Sequence, residues 1–240
     1  MTGATGYLGS ELVRLAPAAT TERVEVRDAE AVHALFRRLR PEVVIHTAYR
    51  QEGPEAPAIN VEGAANVARA AERLGIRLVH VSSDVVFDGR KGSPYLEEDA
   101  LSPVNAYGRT KAEGERRVAA VHSRALIVRT SLIVGGAHPS KHELAALEPG
   151  SWYTNELRSP VQVTDLAQAL LELAGLDVAG PLHVAGADGV SRAVLAELVA
   201  KGPVASAEAP PTRPLDCRLD SSRAQALLQT RLRGVREVLA

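Results

Sequence analysis

The chain has 240 residues, of which 45% are hydrophobic and 24% charged, with a net charge of -1. This is the make-up of a globular protein able to bury one sizeable core. The near-zero charge gives no bulk field to gather nucleic acid or an anionic membrane. No apolar run approaches the roughly 20 residues that span a bilayer. The single cysteine, Cys217, excludes an internal disulfide and a cysteine-based metal cluster. No signal peptide is read, and the cytoplasm is the expected compartment.

The chain opens on a glycine-rich stretch, Thr2 to Gly9, that runs into a helical pattern over Ser10 to Leu15 and stops at Pro17. Gly3-x-x-Gly6-x-x-Gly9 offers a tight turn and close backbone approach. The helix start behind it can hold a pyrophosphate through free N–H groups and the helix dipole. Such a loop calls for a buried strand before it and another after the first helix, yet only Met1 and Thr2 precede it and residues 17–23 hold no apolar run. We therefore expect that segments are missing from the sequence at both places. Val24-Glu25-Val26 reads as a further strand with Asp28 at its end.

Glu42 to Ala48 follows Pro41 as a buried strand, and Val61 to Leu74 is an alanine-rich helix ended by Gly75. Ile76 to Val81 is a second buried strand, running out into Ser82-Ser83-Asp84. Asn105 to Val121 reads as a helix and Ala125 to Val128 as a third strand. Strands alternating with helices imply a parallel sheet covered on both faces. Past Ser131 the pattern loosens. Helices are expected over Asp165 to Leu173, Arg192 to Ala200 and Ser221 to Leu228, a short strand over Pro181 to Ala185, and a proline-rich loop over Ala205 to Pro214. Residues 1–130 thus read as a dinucleotide-binding domain. Residues 131–240 read as mainly a small α/β substrate-binding region, with segments that return to the first domain.

Tyr107 and Lys111 lie four residues apart on the expected 105–121 helix, so they share a face. A free tyrosine is a poor proton donor or acceptor at neutral pH, and a neighbouring ammonium lowers its pKa. With Ser83 at a strand end, the three form an acid–base set suited to moving a proton together with a hydride. Lysine is scarce, occurring only at positions 91, 111, 141 and 201.

The chain resembles the extended short-chain dehydrogenase/reductases, and among them the dTDP-4-dehydrorhamnose reductase branch, through nearly its whole length. The stretches that carry the resemblance are Thr2 to Gly9, Asn60 to Gly63, Val81 to Gly89 and Tyr95-x-Glu97-x-Asp99. They continue with Pro103 to Glu115, Arg129-Thr130-Ser131 and Arg158 to Ala167. The resemblance implies a Rossmann-type doubly wound parallel sheet, NADPH or NADH as cofactor, a nucleotide-sugar substrate and a homodimer.

It further implies that Tyr107 exchanges the proton, that Lys111 holds the nicotinamide ribose and lowers the pKa of Tyr107, and that Ser83 polarises the substrate oxygen. Gly3, Thr5, Gly6, Tyr7 and Leu8 would border the pyrophosphate and Asp28 the adenine. Thr47, Ala48, Tyr49 and Ser82 would line the dinucleotide crevice. Val85 would face the sugar, and Asp84 reads equally as a sugar contact or as a helix or turn cap. By its own chemistry Arg158 reads equally as a residue that reaches a substrate phosphate or as an interdomain structural residue.

Two positions depart from the branch, Val85 where a tyrosine commonly follows the aspartate and Leu132 where a tryptophan is common. The implied activity is reduction of a keto group on a nucleotide-activated deoxysugar. The alternatives are an epimerase of the same superfamily and a non-catalytic, cofactor-binding regulatory subunit resembling that of methionine adenosyltransferase. A dehydratase is disfavoured, because Val85 and Val86 stand where such enzymes usually place a glutamate.

Three residue sets read as structural. His46, His80 and His183 lie in apolar runs and read as packed side chains, with no spacing that resembles a metal site. Glu97, Glu98 and Asp99 read as a solvated acidic loop. Cys217 reads as inert.

Overall fold

The structure, a computed structural model, describes residues 1–240. Four parallel strands form the central sheet. They are β1 (Val43–His46), β2 (Arg77–Val81), β3 (Leu126–Arg129) and a fourth strand, Gly180–His183, and they pair in that order. The register sets Ile45 beside Val79 and Val79 beside Leu126, while Val44 pairs with Leu78 and His80 with Ile127. Successive residues point to opposite faces of a strand, so these two rows feed two separate cores.

On one face Ile45, Val79, Leu126, Val128 and Leu182 pack with Leu8 and Leu12 of α1 (Tyr7–Leu15) and Leu166, Leu170 and Leu173 of α6 (Val163–Ala174). On the other, Val44, Leu78 and Ile127 pack with α2 (Ala29–Leu39), α3 (Ala64–Arg73) and Val118 of α4 (Ala106–Val121). Each fully buried leucine contributes about 1.5–3 kcal/mol. A parallel sheet with helices on both faces is the doubly wound α/β architecture the alternation of elements foretold.

Three local expectations are corrected. Val24-Glu25-Val26 is not a strand. Val26 is buried among Phe36 and Ala64, and the side chain of Asn66 donates to the carbonyls of Val26 and Arg27, both at 3.0 Å. A side-chain amide therefore satisfies backbone groups that a sheet ladder would otherwise take. The helix expected from Val61 begins as a π-helix, Ala58–Gly63, before α3. The acidic 97–99 run is a partly solvated loop, with Glu98 exposed and Glu97 and Asp99 half-buried and tied down. Glu97 accepts from the His183 N–H, and Asp99 pairs with Lys91 and the Leu96 N–H.

On the outer side of β1 only Thr2 pairs, bridging His46. The C-terminal half returns to the sheet through α6 and the Gly180–His183 strand. Around them lie three two-residue strand pairs: Ile133–Val134 with Val161–Gln162, Leu157–Arg158 with Val190–Ser191, and Trp152–Tyr153 with Ser206–Ala207. Helix α5 (Lys141–Leu147), unforeseen among the glycines and prolines of 135–160, starts on a capping box. Ser140 Oγ accepts from the Glu143 N–H and the Glu143 carboxylate accepts from the Ser140 N–H. Helices α7 (Arg192–Ala200), α8 (Ser222–Leu227) and α9 (Val235–Leu239) complete the chain. No helix is long and apolar enough to cross a membrane.

Candidate active site

A cavity of about 1000 Å3 opens at the C-terminal ends of the strands, where open α/β sheets bind ligands. The glycine loop forms one end. Thr47 anchors it, donating its N–H (3.1 Å) and its hydroxyl (2.9 Å) to the Thr2 carbonyl. Gly3 has a φ of 79°, and a Cβ there would stand 2.6 Å from the Ala48 nitrogen. The backbone can press against the β1 end only as glycine. Helix α1 starts at Tyr7 with no side chain capping its first turn. Its free N–H groups border the cavity with the positive end of the helix dipole. This bare cradle fits the pyrophosphate of a dinucleotide.

Of the residues assigned to the cofactor, Gly3, Gly6, Tyr7, Leu8, Thr47, Tyr49 and Ser82 line the cavity, while Thr5 and Ala48 do not. Asp28 also lies off the lining. It is the N-cap of α2, accepting from the Glu30 and Ala31 N–H groups at 3.1 and 3.0 Å.

Ser83, Tyr107 and Lys111 come together on one wall of this cavity. Helix α4 is started by Asn105, whose Oδ1 accepts from the Gly108 N–H at 2.6 Å. Gly108 lets the helix touch the turn that follows β2, since a Cβ there would lie 2.1 Å from the Val85 carbonyl oxygen. This approach sets Tyr107 beside Ser83. From the other side Asn60, in the π-helix, donates to Thr110 Oγ1 at 2.9 Å and holds both backbone groups of Arg50. The helix that carries Tyr107 and Lys111 is thus fixed at both flanks.

Burial, helped by Tyr49 and Asp84, pushes the Tyr107 pKa up, while the Ser83 hydroxyl pulls it the other way. The expectation that Lys111 lowers it is not met in the free protein. Lys111 is 3% exposed and its Nζ donates to the Val81 carbonyl at 2.7 Å. Burial lowers the lysine's own pKa to about 8, against a smaller rise from Glu115. Desolvation therefore dominates in both groups, over the Ser83 hydroxyl at Tyr107 and over Glu115 at Lys111. At neutral pH the pair is a neutral phenol and an ammonium.

The opposite end of the cavity is built by residues far apart in sequence. Asp84, buried, accepts from Ser131 Oγ at 2.6 Å and lies 3.6 Å from Arg158 Nε. Burial raises its pKa despite these partners. Val85 and Leu132 line the same region as an apolar wall.

Arg158, read either as a phosphate contact or as an interdomain structural residue, is 2% exposed and fully engaged. It donates to the carbonyls of Leu157, Pro214 and Leu215 and to Glu156. It serves as a bracket for the 214–215 loop. Glu156, His142, Lys141, Arg192 and Arg213 also line this end. They escaped notice in the sequence because each lies in an irregular or separately read segment. Lys141 reaches across the mouth to Tyr49 Oη at 3.0 Å, and the Tyr49 ring stands 5.9 Å from that of Tyr107. Cys217 is buried, with its pKa pushed up to about 12 by desolvation. His46, His80 and His183 are packed and buried.

The RmlD substrate binding domain matches residues 1–240. The dTDP-4-dehydrorhamnose reductase of Mycobacterium tuberculosis is 35% identical over 217 residues, covering 80% of this chain and 71% of that one. Methionine adenosyltransferase 2 subunit beta of Rattus norvegicus is 29% identical over 231 residues, covering 82% of this chain and 69% of that one. Among solved structures, the dTDP-4-dehydrorhamnose reductase of Bacillus anthracis in complex with NADP superposes with a TM-score of 0.86. That match has 24% identity and covers 99% of this chain and 95% of the other. It shows the same fold.

Proposed function

From the premise that the chain belongs to the RmlD substrate-binding-domain family, we propose that it reduces a keto group on a nucleotide-activated deoxysugar, with NADPH or NADH as the reductant. The observation that carries this reading is the convergence of Ser83, Tyr107 and Lys111 on one cavity wall, within the same cavity as the uncapped start of α1. Gly3, Gly6, Tyr7 and Leu8 would hold the pyrophosphate, and Thr47, Tyr49 and Ser82 the rest of the dinucleotide. Residues 1–130 supply this end and 131–240 most of the sugar end. When bound, the nicotinamide supplies the hydride that adds to the carbonyl carbon.

The residues of the chain do the proton chemistry. The Ser83 hydroxyl donates to the substrate oxygen and polarises the carbonyl. Tyr107, held neutral by its raised pKa, gives its proton to that oxygen as the carbon is reduced, so the product is the alcohol. One Lys111 N–H is taken by Val81. The other two are free to hold the ribose hydroxyls, and the ammonium steadies the phenolate left on Tyr107 until solvent returns the proton. Asp84 and Val85 face the sugar. The enzyme is expected to act in the cytoplasm as a homodimer, a state that size-exclusion chromatography with light scattering would read.

The test is loss of nicotinamide absorbance with NADPH or NADH and dTDP-4-keto-6-deoxysugars. Turnover reduced by about 10²–10⁴-fold in Tyr107→Phe, with cofactor affinity kept, is the expected result. The similarity to methionine adenosyltransferase 2 subunit beta supports a second reading, a cofactor-binding regulatory subunit. Tight cofactor binding without turnover on any keto-sugar would select it.

A further inference from the structure

The sugar end of the cavity holds three guanidiniums, Arg158, Arg192 and Arg213, against two carboxylates, Glu156 and Asp84. Two of the three cations are engaged. Arg158 is bonded to Glu156 and to three carbonyls. Arg213 donates to Glu156 Oε2 at 2.6 Å and lies over the Tyr153 ring. Arg192 differs. Its backbone is fixed at the start of α7, where its N–H donates to the Glu156 carbonyl at 2.9 Å and Ser191 caps the helix. Its guanidinium carbon stands 5.3 Å from the centre of the Trp152 ring.

Arg192 Nη1 is shielded from solvent and has no hydrogen-bond partner. Both oxygens of the nearest acid are occupied, Oε1 by Arg158 and Oε2 by Arg213. A shielded cationic donor without an acceptor is rare in folded proteins, because it loses water and gains nothing in return. An anion would supply that acceptor, and the charges at this end, Arg158, Arg192, Arg213 and Lys141 against Glu156 and Asp84, leave a surplus of positive charge. His142 lines the same end, and burial with the charges of Arg192, Lys141 and Arg158 holds its pKa down to about 3. It therefore stands there as a neutral imidazole, a further hydrogen-bonding group.

We propose that Arg192 is the anion-recognition residue of the substrate end, receiving a phosphoryl oxygen of the diphosphate that carries the sugar. A planar guanidinium held beside an aromatic ring presents its fork to such an oxygen with little ordering left to do. The assignment rests on the keto-sugar reductase reading and sharpens it. Diphosphate-activated sugars are substrates and free sugars are not, and recognition falls to Arg192 rather than Arg158. A sugar carboxylate offers the same fork a partner and is the competitor to be separated.

Trp152 is the only tryptophan of the chain, so its emission reports on this site. The experiment titrates dTDP, thymidine and glucuronate into the full chain, its Arg192→Gln variant and its Arg192→Lys variant. NADPH affinity is measured alongside. dTDP is expected to change the Trp152 emission and to bind at least about 10-fold more tightly than thymidine. Arg192→Gln should lose about 10–100-fold in dTDP affinity, and Arg192→Lys a smaller part. Thymidine and NADPH affinities should hold in both variants. Unchanged dTDP affinity in Arg192→Gln, or glucuronate binding as well as dTDP, overturns the proposal. Intact, Arg192-dependent dTDP binding with no reduction of any keto-sugar would count against the reductase reading alone.

Discussion

At the scale of single residues the site is governed by desolvation. Lys111 is a buried cation with one carbonyl partner, and its pKa is lowered to about 8. The unfolded chain therefore binds more protons between about pH 8 and the ordinary lysine value of 10.5. This group's burial penalty is in full force below pH 8, and stability rises with pH through that window as it disappears. On the role proposed for Lys111, cofactor affinity should run the other way, because contacts to the ribose hydroxyls need the ammonium. We expect Kd for NADPH to rise above pH 8 in the wild type, measured by fluorescence titration. Lys111→Met should gain about 2 kcal/mol of stability at pH 7 in thermal melts while losing turnover, the trade of stability for function expected at such a site. A melting temperature that falls in this variant would show that the Val81 hydrogen bond outweighs the buried charge.

At the scale of elements, two helix starts make opposite predictions. Asp28 caps α2 through the Glu30 and Ala31 N–H groups. Asp28→Ala is expected to cost about 1 kcal/mol in denaturant unfolding. Cofactor affinity should not change, because the residue stands outside the cavity lining. A loss of NADPH affinity at unchanged stability would instead return it to the adenine site.

The start of α4 controls chemistry. In Gly108→Ala the new methyl would meet the Val85 carbonyl oxygen at 2.1 Å, so the helix must withdraw and carry Tyr107 from Ser83. A displacement of that order lowers kcat by about 100-fold, with a smaller change in KM, and steady-state kinetics separate the two. The 105–121 helix was legible because its cap, its stop and its Tyr107–Lys111 spacing are all local. The 24–26 segment was misread because the Asn66 amide that replaces its ladder lies 39–40 residues away.

At the scale of the whole molecule, buried charge ties distant elements together. Arg129 on β3 donates to Glu115 of α4 and to the Glu97 carbonyl, and its guanidinium lies against Phe87. Glu115→Leu leaves Arg129 buried and unpaired, and a loss of about 3–5 kcal/mol is expected in chemical denaturation. The sequence by itself determined the doubly wound class and the glycine-rich loop, and it singled out Ser83, Tyr107 and Lys111 as candidates, because element periodicity, glycine spacing and the Tyr107–Lys111 spacing are local features. The tertiary structure decided which charges are spent and which are free. Arg158 reads equally as a ligand-binding or a structural arginine until Pro214 and Leu215, 56 and 57 residues further on, fold over it. Arg192 reads as an ordinary helix start until Glu156 proves to be shared between two other guanidiniums. The pKa of Tyr107 was set the same way, since burial depends on every segment that closes around a side chain and no local pattern reports it.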